Sequence, residues 1–77
     1  MAGKPIPADS YLILSCELLG AFKGKKRWRS PDGKKYFEWD ALHGEIEVYN
    51  RRGKHLGVLD AYGNYIKDAI EGRTITV

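Results

Sequence analysis

The sequence predicts a mainly β domain, an antiparallel meander, and three observations carry that expectation. Gly-containing turns recur at Pro31-Asp32-Gly33, Asn50-Arg51-Arg52-Gly53 and Asp60-Ala61-Tyr62-Gly63-Asn64, and turns of that composition punctuate hairpins. The runs between them alternate apolar and polar residues with the period of a strand. The chain has 77 residues, enough for one domain, and a domain this small buries only about 60% of the surface its unfolded form exposes.

The elements follow in order. Residues 1–9 read as an irregular lead-in or linker, which leaves 10–77 as the domain. Asp9 or Ser10 can cap a short helix running through Cys16, Leu18 and Leu19 to Gly20, and a strand over Tyr11–Ser15 suits the same apolar run. Strands are expected over Lys26–Ser30, Lys34–Asp40, Glu45–Tyr49 and His55–Asp60, with a last short run, Arg73–Val77, after Gly72. Alternation puts Phe37, Trp39, Ile46, Val48, Leu56 and Val58 on one face, packed against the N-terminal segment. The opposite face collects Tyr36, Glu38, Asp40, Glu45, Glu47, Tyr49, His55 and Leu59, with a bare spot at Gly57. Such a face is unusual.

Composition excludes several classes. Cys16 is the only cysteine, so no disulfide staples the monomer, and it reads as a small apolar side chain. The longest apolar run, Tyr11–Leu14, is far short of the roughly 20 residues a bilayer requires. No signal peptide is read, and export is expected to depend on a larger carrier. The net charge is +3, but residues 1–35 carry +5 and residues 36–77 carry −2. A basic front half beside an acid-rich back half suits a polyanion-binding surface next to a site that uses carboxylates.

The candidate chemistry lies in Glu38-Trp39-Asp40-Ala41-Leu42-His43-Gly44-Glu45-Ile46-Glu47, four acids and a histidine in ten positions. His43 and Gly44 fall at a hairpin bend, which brings Asp40 and Glu47 within side-chain reach. A carboxylate beside a histidine orients the ring and favours its protonated form, as a general acid requires; a second carboxylate can act as base. The same letters also suit an exposed strand end with a turn histidine. No metal site is expected, since His43 and His55 lack ligand spacing; the alternative is a carboxylate-rich magnesium site involving Asp40, Glu45 and Glu47. No cofactor fingerprint is present. Lys23-Gly24-Lys25-Lys26-Arg27-Trp28-Arg29 interleaves cations with an indole that either stacks on RNA bases or points into the core. His55 reads as a surface or substrate-lining residue.

From Lys25 onward the chain resembles the cytotoxic ribosomal ribonuclease domain of the E-type colicins and cloacin. The matching pieces are Lys-Lys-Arg-Trp (25–28), Asp-Gly-Lys-Lys-Tyr (32–36), Glu-Trp-Asp-x-x-His-Gly-Glu-x-Glu (38–47), His-Leu-Gly (55–57), Gly-Asn (63–64) and Arg73. Residues 1–22 do not resemble that family's Gly/Pro-rich approach to the domain, which suggests another delivery system, such as a contact-dependent or polymorphic toxin. The resemblance implies an α+β fold, a small, strongly twisted antiparallel sheet with a short N-terminal helical segment. It implies a metal-independent toxin endoribonuclease that cuts one bond in the decoding centre of 16S ribosomal RNA within the small ribosomal subunit. It places the active site on Asp40, His43, Glu47 and Arg73. The residues expected to contact RNA are Lys23, Lys25, Lys26, Arg27, Trp28, Arg29, Tyr36, Glu45, Tyr49, His55 and Lys67. The implied partners are the ribosome, an acidic cognate immunity protein and a larger delivery protein, with action in the cytoplasm of the target bacterium. A non-catalytic RNA-binding β-module is the alternative.

Overall fold

The computed structural model describes residues 3–77; Met1 and Ala2, the start of the lead-in, lie outside the described residues. The expected meander is present as six antiparallel strands in chain order: β1 (Glu17–Phe22), β2 (Lys25–Arg29), β3 (Lys35–Asp40), β4 (Glu45–Asn50), β5 (His55–Leu59) and β6 (Tyr65–Asp68). Side chains make the turns. Asp32 Oδ1 accepts from Lys34 N, Asn50 Oδ1 from Arg52 N and Lys54 N, and Asp60 Oδ1 from Tyr62 N and Asn64 N. Each is the local hydrogen bonding that suits Asp and Asn to turns.

The N-terminal ambiguity resolves in favour of the helix: Tyr11–Ser15, where the alternative reading put a strand, is helical, and the strand that does form lies further on, at Glu17–Phe22. The helix, α1 (Tyr11–Ser15), is capped by Ser10, whose Oγ accepts from Leu12 N and donates to Ala61 O at 2.7 Å. The helix does not run on through Leu18 and Leu19, because Cys16 turns extended (φ −110°, ψ 160°) and Glu17–Phe22 becomes the edge strand β1. Its pairing with β2 slips between Leu18 and Gly20. The edge position leaves Leu18 and Phe22 exposed, so their pattern does not report burial. β6 was likewise unreadable, since all four of its residues are exposed. The run Arg73–Val77 forms no strand, although a β-bridge pairs Thr74 with Lys54.

The core lies under one face, where Trp28, Phe37, Trp39, Ile46, Val48, Leu59 and Ala61 close around Leu12 of α1. Ile6, Tyr11, Cys16 and Leu56 pack at its margin. One expectation fails at β5. Leu59, not Val58, joins the core, and Val58 lies opposite Glu47 on the other face. The cause is a bulge that inserts Leu56 between the pairs Tyr49–His55 and Val48–Gly57; one extra residue reverses the inside–outside phase downstream. Gly57 consequently lies opposite Val48 rather than on the acidic face, and the Tyr65 ring covers it.

The last residues are clasped to the sheet. His55 N donates to Arg73 O at 3.0 Å, and Ile75 N to Gly53 O at 2.8 Å. Gly53 sits at φ +84°, and a Cβ there would land on the Ile75 carbonyl oxygen. Gly53→Ala should therefore lower unfolding free energy by about 1–3 kcal/mol, measured by urea denaturation. An unchanged midpoint would show that the tail yields without cost.

Candidate active site

The face opposite the core is built from cross-strand pairs. Glu38 lies directly across from Glu47, Asp40 from Glu45 and Tyr36 from Tyr49. Carboxylates placed opposite each other repel, and here each has its own cation. Arg27, paired with Glu38 across β2 and β3, reaches Glu38 Oε2 through Nε at 3.1 Å and Nη2 at 2.9 Å. Arg73 Nη1 lies 3.2 Å from Glu47 Oε1.

Glu47 is 4% exposed and has a second partner, His55 Nε2, at 2.9 Å. His55 Nδ1 accepts from Ile70 N at 2.9 Å. That nitrogen therefore carries no proton, so Nε2 carries one and donates it to Glu47. The Ile70 backbone amide thus fixes the tautomer that holds the carboxylate. His55, at 1% exposure, is out of reach of RNA, and the expectation of a substrate-lining role gives way to support of Glu47 from behind. Its place on this face was legible; its depth was not, because the bonds that bury it come from residues 70 and 73.

Asp40 and His43 form a second unit. Asp40 Oδ2 lies 2.7 Å from His43 Nδ1, while Oδ1 accepts from Leu42 N and His43 N. The His43 side chain is 57% exposed, so its other nitrogen faces solvent. Burial alone would push the Asp40 carboxyl up. The His43 ring bond, the His43 amide, the neighbouring imidazole charge and the Leu42 amide outweigh it and hold Asp40 below its ordinary 3.8.

Among the other residues expected to contact RNA, Lys23, Lys25, Lys26 and Lys67 are exposed, and Tyr36 is half-buried. Arg29 pairs with Glu17, and Lys67 Nζ lies 3.1 Å from Glu45. Three expectations are corrected by burial. Trp28 is a core residue, its face closed to any base. Arg27 is committed to Glu38, to Thr76 O at 2.8 Å and to the Phe22 ring. Tyr49 is 2% exposed; burial raises its phenol above the usual value, and Arg73 beside it pulls the other way. A groove of about 870 Å³ opens at Arg73, lined by Lys23, Lys25, Tyr36, Glu38 and the tail from Thr74 to Val77.

Asp40, His43 and Glu45 also offer ligand atoms within 4.8 Å of one another. Asp40 accepts three hydrogen bonds there, and Glu45 is paired with Lys67. Burial pushes the Cys16 thiol up, and a Tyr11 hydrogen bond only partly opposes this, so Cys16 is not an activated nucleophile. Among the described residues no helix is long and apolar enough to cross a membrane.

The Asp40 environment sets a pH dependence. With its folded value held below 3.8, ionised Asp40 adds stability above that pH. The contribution is lost as pH falls through the lower folded value. Between neutral pH and about pH 3, Asp40→Asn should lose less unfolding free energy than the parent chain, read from urea melts at each pH. Parallel acid limbs would mean that Asp40 gains nothing from the fold.

Comparison with known proteins shows the family. The profile of the Cytotoxic family matches residues 19–76. Colicin E3 of Escherichia coli is 43% identical over 53 residues, which is 66% of this chain and 10% of that protein. Colicin-E6 of Escherichia coli is 42% identical over 55 residues, 68% of this chain and 10% of that protein. The chain spans about a tenth of the length of these curated relatives. It belongs to the Cytotoxic family, the family of the E-type colicin cytotoxic domains.

Proposed function

We propose that this domain is a toxin ribonuclease that cuts one phosphodiester bond in the decoding centre of 16S ribosomal RNA and so blocks translation. One observation carries the reading: an exposed histidine on a carboxylate and a buried carboxylate on an arginine share one face of the sheet. Asp40 is opposite Glu45, and Glu47 is two residues further along β4. The two units therefore stand roughly 7 Å apart, a span that a phosphodiester linkage fits.

RNA carries its own nucleophile. Glu47 takes the proton of the ribose 2′-hydroxyl, whose oxygen attacks the neighbouring phosphorus. The bond to the 5′-oxygen breaks, and His43 protonates that departing oxygen. The product is a 2′,3′-cyclic phosphate. Asp40 holds the His43 ring, His55 holds Glu47, and Arg73 turns from Glu47 to the non-bridging oxygens, where charge develops. Glu45, bound to Lys67, is the less suited base. The chemistry calls on these side chains alone, and no metal takes part in any step. The groove beside Arg73, with Lys23 and Lys25 on its rim, suits the strand that flanks the cut. Choice of the bond belongs to the ribosome's own RNA structure, since so small a surface reads little sequence.

Ribosomes treated with the domain in EDTA should release one discrete 3′ fragment of the small-subunit RNA. Random cutting, or complete loss of cleavage on chelation, would overturn the assignment. His43→Ala and Glu47→Gln should each slow cleavage by about 10²–10⁴-fold. Near-normal cleavage by Glu47→Gln would transfer the base to Glu45.

A cell that makes such a domain within a larger toxin must neutralise it. The exposed Lys25, Lys26, Arg51, Arg52 and Lys54 favour an acidic immunity protein bound beside the site or only partly over it. Its association rate should fall with added salt. Charge reversal at Lys25, Lys26 or Arg51 should weaken it, while His43→Ala should leave affinity nearly unchanged. The opposite pattern in a binding titration would put the inhibitor over the catalytic face.

A further inference from the structure

The lead-in is irregular, as its composition suggests, but it is docked, and the place where it docks is the catalytic turn. Lys4 N donates to Ala41 O at 2.7 Å, and Trp39 Nε1 donates to Lys4 O at 2.9 Å. A single residue of the lead-in thus grips the neighbours of Asp40 on both sides. The fit continues along the turn. A Cβ at Gly44 would lie 2.8 Å from Lys4 Cδ, and one at Gly3 would lie 2.6 Å from Ala41 Cβ. Lys4 therefore lays its aliphatic stem on the bare backbone beside His43, and Gly3 permits the close approach. Ile6 anchors the segment against the core.

We propose that Gly3–Ile6 is a strap that positions the catalytic turn, with the Lys4 backbone as its positioning element. Asp40 is the pivot. Its carboxylate holds the His43 ring and the amides of Leu42 and His43, and its carbonyl accepts from Gly44 N at 2.7 Å. That ring of bonds fixes the turn internally, and the Trp39–Ile46 and Asp40–Glu45 pairs join its base to the sheet. The strap adds a hold on Ala41, beyond the last pair, and on the Trp39 indole, so the alignment of Asp40 and His43 depends in part on residues that precede the sheet. Held this way, His43 stays aligned even though its side chain is mostly in solvent. Positioning of this kind acts on turnover rather than on binding, because a small displacement of a proton donor is costly in rate.

The test compares Lys4→Pro, which deletes the amide donor, with Lys4→Met, which keeps the amide and the stem but removes the charge. Two readouts apply: hydrogen exchange at Leu42, His43 and Gly44, and kcat and KM for ribosomal RNA cleavage. Lys4→Pro should speed exchange at those three amides by about tenfold or more while sheet amides keep their protection. It should lower kcat by about 10–100-fold with KM within about threefold. Lys4→Met should match the parent within about twofold in both readouts. Three results would overturn the strap: a Lys4→Pro chain with parental turn protection, an equal rise in exchange across the whole sheet, or an equal loss in Lys4→Met. The last would make Lys4 an RNA-contacting cation. The kinetic readout rests on the ribonuclease reading and the exchange readout does not, so a chain that cuts no RNA refutes that reading and leaves exchange to decide the strap.

Discussion

Glu38 and Glu47 face each other across β3 and β4, and both are almost wholly removed from water. Two opposed carboxylates in that setting require a cation each, and the rest of the structure supplies them from distant points of the chain. Arg27 comes from β2 for Glu38. Arg73, with His55 behind it, comes from beyond β6 for Glu47. The tail that carries Arg73 is held by Gly53 O, by His55 N and by Arg27 itself through Thr76 O. The guanidinium that neutralises one carboxylate therefore also ties down the segment that serves the other. Charge balance on one sheet face and placement of Arg73 are the same problem, with one solution.

The site divides by solvent exposure as well as by residue. Glu47 is enclosed and held by two donors, which limits its geometry before any substrate arrives. His43 is open, with one nitrogen on Asp40 and the other free, as suits a group that must meet a leaving oxygen from outside. The closed half is organised by the C-terminal tail and the open half by the lead-in. Both ends of a thin six-stranded sheet are thus used to stiffen it where chemistry is placed, which a core this small does not do alone.

Much of this was legible in the sequence, and the parts that were not share a cause. Turns with Gly, Asn and Asp at the right offsets marked the hairpins at 31–33, 50–53 and 60–64. Alternation put Phe37, Trp39, Ile46 and Val48 inward, and Glu38, Asp40 and Glu47 outward. Local pattern failed where an element is exposed on all sides, as in β6, or lies at an edge, as in β1. It failed again at Val58 and Leu59, where a one-residue bulge reversed the phase. Within the site, the Asp40–His43 unit spans three residues and could be read directly. Burial of Arg27, Trp28, Tyr49 and His55 could not, since it follows from long-range packing and from bonds to residues 70–76. The resemblance to E-type colicin domains named Arg73 as a site residue; its contact with Glu47, across 26 positions of sequence, required the folded chain.

The central claim is that the substrate's own 2′-hydroxyl is the nucleophile, activated by the enclosed carboxylate and completed by the exposed histidine. The chemical ends left by cleavage test it most directly. Mass spectrometry of the RNA on either side of the cut should find a 2′,3′-cyclic phosphate on the upstream piece and a 5′-hydroxyl on the downstream one. A 3′-hydroxyl paired with a 5′-phosphate would mean attack by water on the other side of the phosphorus, and would contradict the roles given to Glu47 and His43.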